Sequence, residues 1–207
     1  DYSNASRTQM FNIHTLQWDE EVCGCFGIRT TDLAEVCESD SLFGTTDFLG
    51  YLPKPIPIHC VLGDSHGALF GQGCHKKGMV KTTYGTGSSV MMNIGTVPVL
   101  SKNIVTSIAW KMNGKVDYVL EGNLNYTGAT ITWLKDDIQL LSSSKESGPL
   151  AQKANPNDTT YIVPAFSGLG APYWDANAKA CIVGITRSTG RNEIVKAAEE
   201  SPGYLGG

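Results

Sequence analysis

Hydrophobic positions change period twice along the chain. Residues 79–94, MVKTTYGTGSSVMMNI, form two β-branched runs joined at Gly85-Thr86-Gly87, and VDYVLEG supplies a third strand with Val116, Tyr118 and Leu120 on one face. After Asn125 the spacing becomes three and four, so TGATITWLKDDIQLL predicts a helix carrying Ile131, Leu134, Ile138 and Leu141 on one side. TTYIVPAF and CIVGITR read as short strands around the turn-rich SGLGAPYWDANAKA, and a last helix opens near Asn192 and breaks at Ser201-Pro202-Gly203. The predicted order from Gly78 onward is βββαββα, a mixed α/β lobe.

Upstream the pattern is more broken. RTQMFNIHTLQWDEEVCGCFGI ends in an amphipathic segment in which Trp18, Val22 and Cys25 share a helical face, and Thr31 or Asp32 is placed to cap a short helix in TDLAEVCES. YLPKPIPIHCVLG cannot be helical, because proline fixes φ and lacks a donor, so it reads as a linker running into a strand at residues 58–62. That strand stops at Gly63-Asp64 and gives way to the helical pattern of SHGALFGQGC.

With 207 residues, 41% of them hydrophobic, the chain can bury a sizeable core as one large domain or parts of two. Sixteen Lys and Arg against twenty Asp and Glu give a net charge of -4. No basic run exceeds Lys76-Lys77, which excludes the footprint of a nucleic-acid binder and points to small-molecule partners. No apolar run approaches the roughly 20 residues needed to cross a bilayer, so no membrane partner is expected. The six cysteines, at 23, 25, 37, 60, 74 and 181, show neither the spacing of a disulfide framework nor a C-x-x-C pair, and reduced thiols in the cytoplasm are the simplest reading. The lack of an initiator Met and the ending in Gly206-Gly207 read as a piece of something longer.

Asp64 sits where a strand becomes a helix, the place where open α/β folds present ligand-binding groups. It either caps that helix or accepts a proton from a substrate hydroxyl, and the two roles are compatible. Gly85-Thr86-Gly87 is either a plain hairpin turn or an anion nest, in which exposed amides are joined by the hydroxyls of Thr86 and Ser88. It is no Walker loop, because Met79-Val80 follow the nearest match at residues 73–78, and it lacks the third glycine of a dinucleotide fingerprint. In FSGLGAPYWD, Tyr173 and Trp174 read as a structural plug before a binding platform. His59, Cys60, His66, Cys74 and His75 are zinc-ligand types at spacings that match no common site.

Taken in order, DYSNASRTQMFNI, GDSHGALFGQG, MVKTTYGTGSSVMMNIG, LEGNLNYTGATITWLKDD and VPAFSGLGAPYWDANAKACIVGITRSTGR resemble the FGGY family of carbohydrate kinases, most closely its glycerol kinase branch. The resemblance covers the chain to about Ala198. It implies an actin-like, ribonuclease H-like architecture of two lobes with a mixed sheet. Residues 1–73 would be the C-terminal part of the N-terminal, substrate lobe, and residues 74–207 the truncated start of the C-terminal, nucleotide lobe. The implied reaction moves the γ-phosphoryl of MgATP to a sugar or polyol hydroxyl. Asp64 then matches the catalytic carboxylate, Gly85, Thr86 and Gly87 the loop that meets the nucleotide phosphates, and Gly128 and Thr132 the nucleotide-contacting helix start. Ser65 and Ser89 fall at acceptor-binding positions, where many glycerol kinases carry glutamine and an aromatic residue. Both changes widen the expected pocket toward a longer polyol, ketose or sugar acid, whereas GLGAPYWD is glycerol-kinase-like and unlike xylulokinases.

The family's metal-binding hairpin would lie upstream of Asp1 and its adenine site downstream of Gly207, so no metal ligand is expected within the chain. Alone it should be an inactive fragment of a homo-oligomeric kinase, and a truncated sugar-binding or interaction module is the alternative. ESPGYLGG departs from the helix the family would have there and reads as an expression boundary or a frameshifted gene end.

Overall fold

The computed structural model describes residues 1–205. The backbone separates into two units, Asp1–Lys81 with Met91–Glu121, and Thr82–Val90 with Gly122 onward. The first contains α1 (Tyr2–Arg7), a ribbon of β1 (Phe11–Asn12) and β2 (Gln17–Trp18), α2 (Glu20–Cys25), a second ribbon of β3 (Gly44–Thr46) and β4 (Ile56–Ile58), and α3 (Asp64–Gly71). A four-stranded sheet follows from β5 (Val80–Tyr84), β6 (Ser88–Gly95), β7 (Val105–Met112) and β8 (Lys115–Leu124), in the order β5-β6-β8-β7.

Period-two alternation gives this sheet two buried faces. Met92, Ile94, Ile108, Tyr118 and Leu120 pack with Ala5 of α1 and Phe11, while Met91 and Val119 face the other way, toward Leu69 of α3. A bulge between Ile108 and Trp110 puts Ala109 and Trp110 together on the α3 side. The edge strand β7 is covered: the Ile108 N–H donates to Ser6 Oγ at 3.1 Å and the Ser39 N–H to the Lys111 carbonyl at 2.8 Å.

Several sequence expectations shift here. Strand β7 is an addition to the predicted order, although Asn113-Gly114, with φ of 50° and 74°, is the type of turn that marks a hairpin. Asp19 caps α2 by accepting from the Glu21 and Val22 amides, so Trp18 belongs to the ribbon and Cys23, not Cys25, is the cysteine that α2 buries. No helix follows Thr31-Asp32, because the Asp32 carboxylate is held by Arg29 at 2.9 and 2.7 Å and residues 30–32 close as a single 3₁₀ turn. The strand expected at residues 58–62 lies earlier, at Ile56–Ile58, where Pro57 is tolerated because β3 and β4 form only a two-stranded ribbon.

The second unit holds α4 (Gly128–Asp136), α5 (Ser147–Ala151), the pair β9 (Tyr161–Val163) and β10 (Cys181–Val183), and α6 (Arg191–Leu205). Leu134, Leu141, Ile162, Val195, Ala197 and Ala198 form its core. α4 ends at Asp136, so Ile138 faces solvent while Leu141 returns to the core. α6 does not break at Pro202. The Ser201 hydroxyl donates to the Ala198 carbonyl at 2.9 Å, replacing the N–H that proline lacks, and the helix runs on to Leu205, while Gly206 and Gly207 lie outside the described residues. Tyr173 and Trp174, read as a plug, are 64% and 53% exposed. Phe166 takes that role between Tyr126 and Trp133, each with ring centroids 5.0 Å away. Among the described residues no helix is long and apolar enough to cross a membrane.

Candidate active site

In the first unit the candidate is Asp64. Gly63 occupies the cap position of α3, with φ -57° and ψ 143°, so Asp64 is the first helical residue rather than the cap. Its side chain is exposed and its Oδ1 accepts the Ser65 N–H at 2.6 Å, while Ser65 itself is half-buried. Beneath it lies a set of groups that single-residue reading of the sequence missed. His66 is buried with Nε2 3.3 Å from Ser107 Oγ. Burial pushes its ring down to about 4 against the opposing charge of Glu121, so the imidazole is neutral near pH 7.

Lys81, at 1% exposure, is a fully buried lysine on β5. Burial lowers its ammonium, and the negative charges of Glu121 and Asp64 oppose that shift. Glu121 is in turn paired with Arg7, Nη1 to Oε2 at 2.8 Å. Two cations and two carboxylates therefore compensate one another around a neutral ring. The sequence carried one clue to this: Lys81 and Glu121 are charged residues within otherwise apolar strand patterns.

In the second unit the candidate is the turn Gly85-Thr86-Gly87 with the start of α4. The amides of Thr127 and Ala129 donate to the Thr86 carbonyl at 3.1 and 3.0 Å, and that of Gly128 to the Gly85 carbonyl at 3.0 Å. Thr127 Oγ1 donates to the Gly85 carbonyl at 2.8 Å and accepts from buried Ser88 Oγ at 3.0 Å. The helix-start amides that a phosphate could have used are thus taken by the turn. The same contacts explain both glycines, since a Cβ on Gly128 would lie 2.6 Å from the Gly85 oxygen and one on Gly87 2.7 Å from the Leu124 oxygen.

This locked turn lines a cleft of about 750 Å³, bounded by Gly85, Thr127, Gly128 and Ile131 and, from α6, by Pro202 and Tyr204. That volume lies within the range of about 300–1,000 Å³ usual for small-molecule sites. Thr132 stands one turn along α4, exposed, with Oγ1 donating to the Gly128 carbonyl at 3.2 Å. Ser89 is half-buried on β6. Among the described residues no three His, Cys, Asp or Glu side chains come together in a way that could hold a metal.

The models of the two domains of the FGGY family of carbohydrate kinases match residues 1–71, for the N-terminal domain, and 80–204, for the C-terminal domain. The chain is 51% identical to glycerol kinase 1 of Thermotoga maritima and 46% identical to glycerol kinase of Natranaerobius thermophilus, covering 99% of this chain and 42% and 41% of theirs. It therefore spans about two fifths of the length of these relatives. Among solved structures, Plasmodium falciparum glycerol kinase with ADP superposes with a TM-score of 0.89 at 37% identity, over 99% of this chain and 41% of that one. A ligand-bound xylulose kinase from Lactobacillus acidophilus superposes at 0.82 and 21% identity, over 97% and 41%, which shares the fold alone. The architecture is accordingly part of the actin-like α/β fold, and the chain belongs to the FGGY family of carbohydrate kinases.

Proposed function

We propose that the chain is part of an ATP-dependent kinase that transfers the γ-phosphoryl group of MgATP to a hydroxyl of a sugar or polyol. Asp64 accepts the hydrogen bond and then the proton of the acceptor hydroxyl, with Ser65 and Ser89 facing the acceptor. Gly85, Thr86, Gly87, Gly128 and Thr132 serve the nucleotide side, Gly85 and Gly128 by lining the 750 Å³ cleft. In this reading residues 1–73 belong to the substrate lobe and 74–207 to the nucleotide lobe. The observation that carries it is Asp64 itself: an exposed carboxylate at the start of α3, relieved of the cap position by Gly63 and backed by the buried Lys81.

A carboxylate proton acceptor suits a loose phosphoryl transfer, in which positioning and charge stabilisation supply most of the acceleration. ATP supplies the phosphoryl group when bound, and Mg²⁺ is held by the nucleotide and by groups outside this chain. Without those groups the isolated chain is inactive in our reading. The similarity to glycerol kinases favours a polyol acceptor, while the small Ser65 and Ser89 leave room for one longer than glycerol. The protein works in the cytoplasm, in keeping with six cysteines that are all free.

A coupled ADP-release assay of the full-length protein with glycerol, xylulose, ribulose and gluconate tests this reading. Turnover with at least one of them is expected, and Asp64→Asn should lower kcat by about a thousandfold, within the ~10²–10⁴ of a typical general base. Full activity in Asp64→Asn would remove Asp64 from the chemistry.

A further inference from the structure

Resting on the assignment of Asp64 above, we propose that Ser3, Asp1 and Ser39 are positioning residues that fix the backbone from which Asp64 projects. Residues 59–63, which lead into Asp64, lie in no helix or strand and so have no ladder of their own to hold them. The Gly63 N–H instead donates to Ser3 Oγ at 2.9 Å. The Ser3 hydroxyl donates onward to Asp1 Oδ1 at 2.9 Å, and Asp1 Oδ2 receives the Ser39 hydroxyl at 2.7 Å. Because a serine has one hydroxyl hydrogen, committing it to Asp1 turns the Ser3 lone pairs toward Gly63, which gives the relay a direction.

The relay is rigid at both ends. Asp1 also accepts from the Ser3 and Asn4 amides at 3.1 and 3.2 Å and from Asn4 Nδ2 at 2.7 Å. Ser39 binds β7 through its N–H, and its carbonyl accepts the Val61 N–H at 3.1 Å. Residues 61 and 63 are therefore pinned by two serines that meet at one carboxylate. Ser3 and Ser39 are both fully buried, so solvent cannot readily stand in for a lost partner. On the other side of the turn, a Cβ on Gly63 would lie 2.8 Å from His66 Nδ1, so the backbone has little room to move that way. These side chains act on Asp64 through Gly63, and displacements of about 1 Å at such distances can cost ~10²-fold in rate.

The test uses Ser3→Ala, Ser39→Ala and Asp64→Asn. In this chain, Ser3→Ala should accelerate hydrogen exchange at the Gly63 amide by about tenfold, as expected for local opening after loss of one acceptor. In the full-length protein, with glycerol and MgATP or the acceptor that gives turnover, Ser3→Ala should lower kcat by about tenfold and leave KM for MgATP within about twofold. Ser39→Ala, one bond further away, should lower kcat by about threefold, and it decides the question if Ser3→Ala does not fold. Unchanged kcat in the folded serine variants, with Asp64→Asn inactive, overturns the relay and leaves the site intact. An active Asp64→Asn overturns the site and the relay with it. A loss of activity that cooling or a stabilising osmolyte restores also overturns it, because a purely structural defect behaves that way.

Discussion

Helices α3 and α4 both begin at glycine-rich turns, yet their first residues meet opposite fates. At α3 the turn leaves an exposed Asp64, and the backbone before it is held from behind by serines and a carboxylate. At α4 the turn folds back onto the helix, so that the carbonyls of Gly85 and Thr86 consume the amides of residues 127–129. One glycine-flanked start is arranged to present a side chain, the other to bring two backbones close enough to form a wall. The difference lies in what each helix rests on. α3 buries its own His66 near Lys81 and the Arg7–Glu121 ion pair, and α4 buries its Leu134 in an apolar core with Leu141, Ile162 and Val195.

That contrast predicts unequal responses to acid. Unfolded, His66 takes up a proton near 6.5, and folded only near 4. Between those values the unfolded chain binds more protons, so the contribution of neutral His66 is intact above about pH 6.5 and lost as the pH falls toward 4. At ~1.4 kcal/mol per pKa unit the loss is about 3 kcal/mol. In the other unit, Asp158 and Glu193 are half-buried carboxylates held low by hydrogen bonds, and their contributions fade only below their ordinary values of 3.8 and 4.5. Amide protection, corrected for the intrinsic pH dependence of exchange, should therefore fall between pH 7 and pH 5 in α3 well before α4, and His66→Gln should flatten the response. Equal loss of protection in both helices would break the contrast.

A smaller effect tests the α4 wall. Gly128→Ala ought to stabilise a helix by about 1 kcal/mol on propensity alone. The new methyl would sit 2.6 Å from the Gly85 oxygen, which already receives the Gly128 N–H and the Thr127 hydroxyl. Backbone cannot swing aside as a flexible side chain can, and overpacking of this kind costs about 1–3 kcal/mol beyond the lost bonds. A net destabilisation of about 2 kcal/mol in chemical denaturation is expected, with a raised KM for MgATP in the full-length protein.

The two regions were not equally legible from sequence. Period two located β5, β6 and β8, and the order of motifs singled out Asp64 and the hairpin, because these signals are local. The cluster of Arg7, His66, Lys81 and Glu121 was not readable as a cluster, since its members are up to 114 positions apart and come from two helices and two strands that only the tertiary fold gathers. The helix break foreseen at Pro202 failed for a related reason: the compensating Ser201 hydroxyl acts on a carbonyl one turn back, outside any propensity count. Gly128 was singled out as a nucleotide contact, and the structure adds that its lack of a Cβ makes room for the Gly85 carbonyl. A glycine in sequence signals close approach without saying by what.

Gly67→Ala is the smallest change and the direct counterpart of Gly128→Ala. Gly67 lies inside α3, where an added Cβ meets only Leu62 Cβ at 3.9 Å, ordinary contact distance. Its N–H already donates to the Gly63 carbonyl at 2.7 Å, a bond that alanine keeps. Nothing opposes the entropic benefit of replacing glycine in a helix, so stabilisation by about 0.5–1 kcal/mol is expected. The same substitution should then carry opposite signs in the two helices, measured as the shift in unfolding midpoint at pH 7. If Gly67→Ala also destabilises, α3 is as tightly packed at its start as α4, and the exposure of Asp64 no longer reflects a helix built to leave its first residue open.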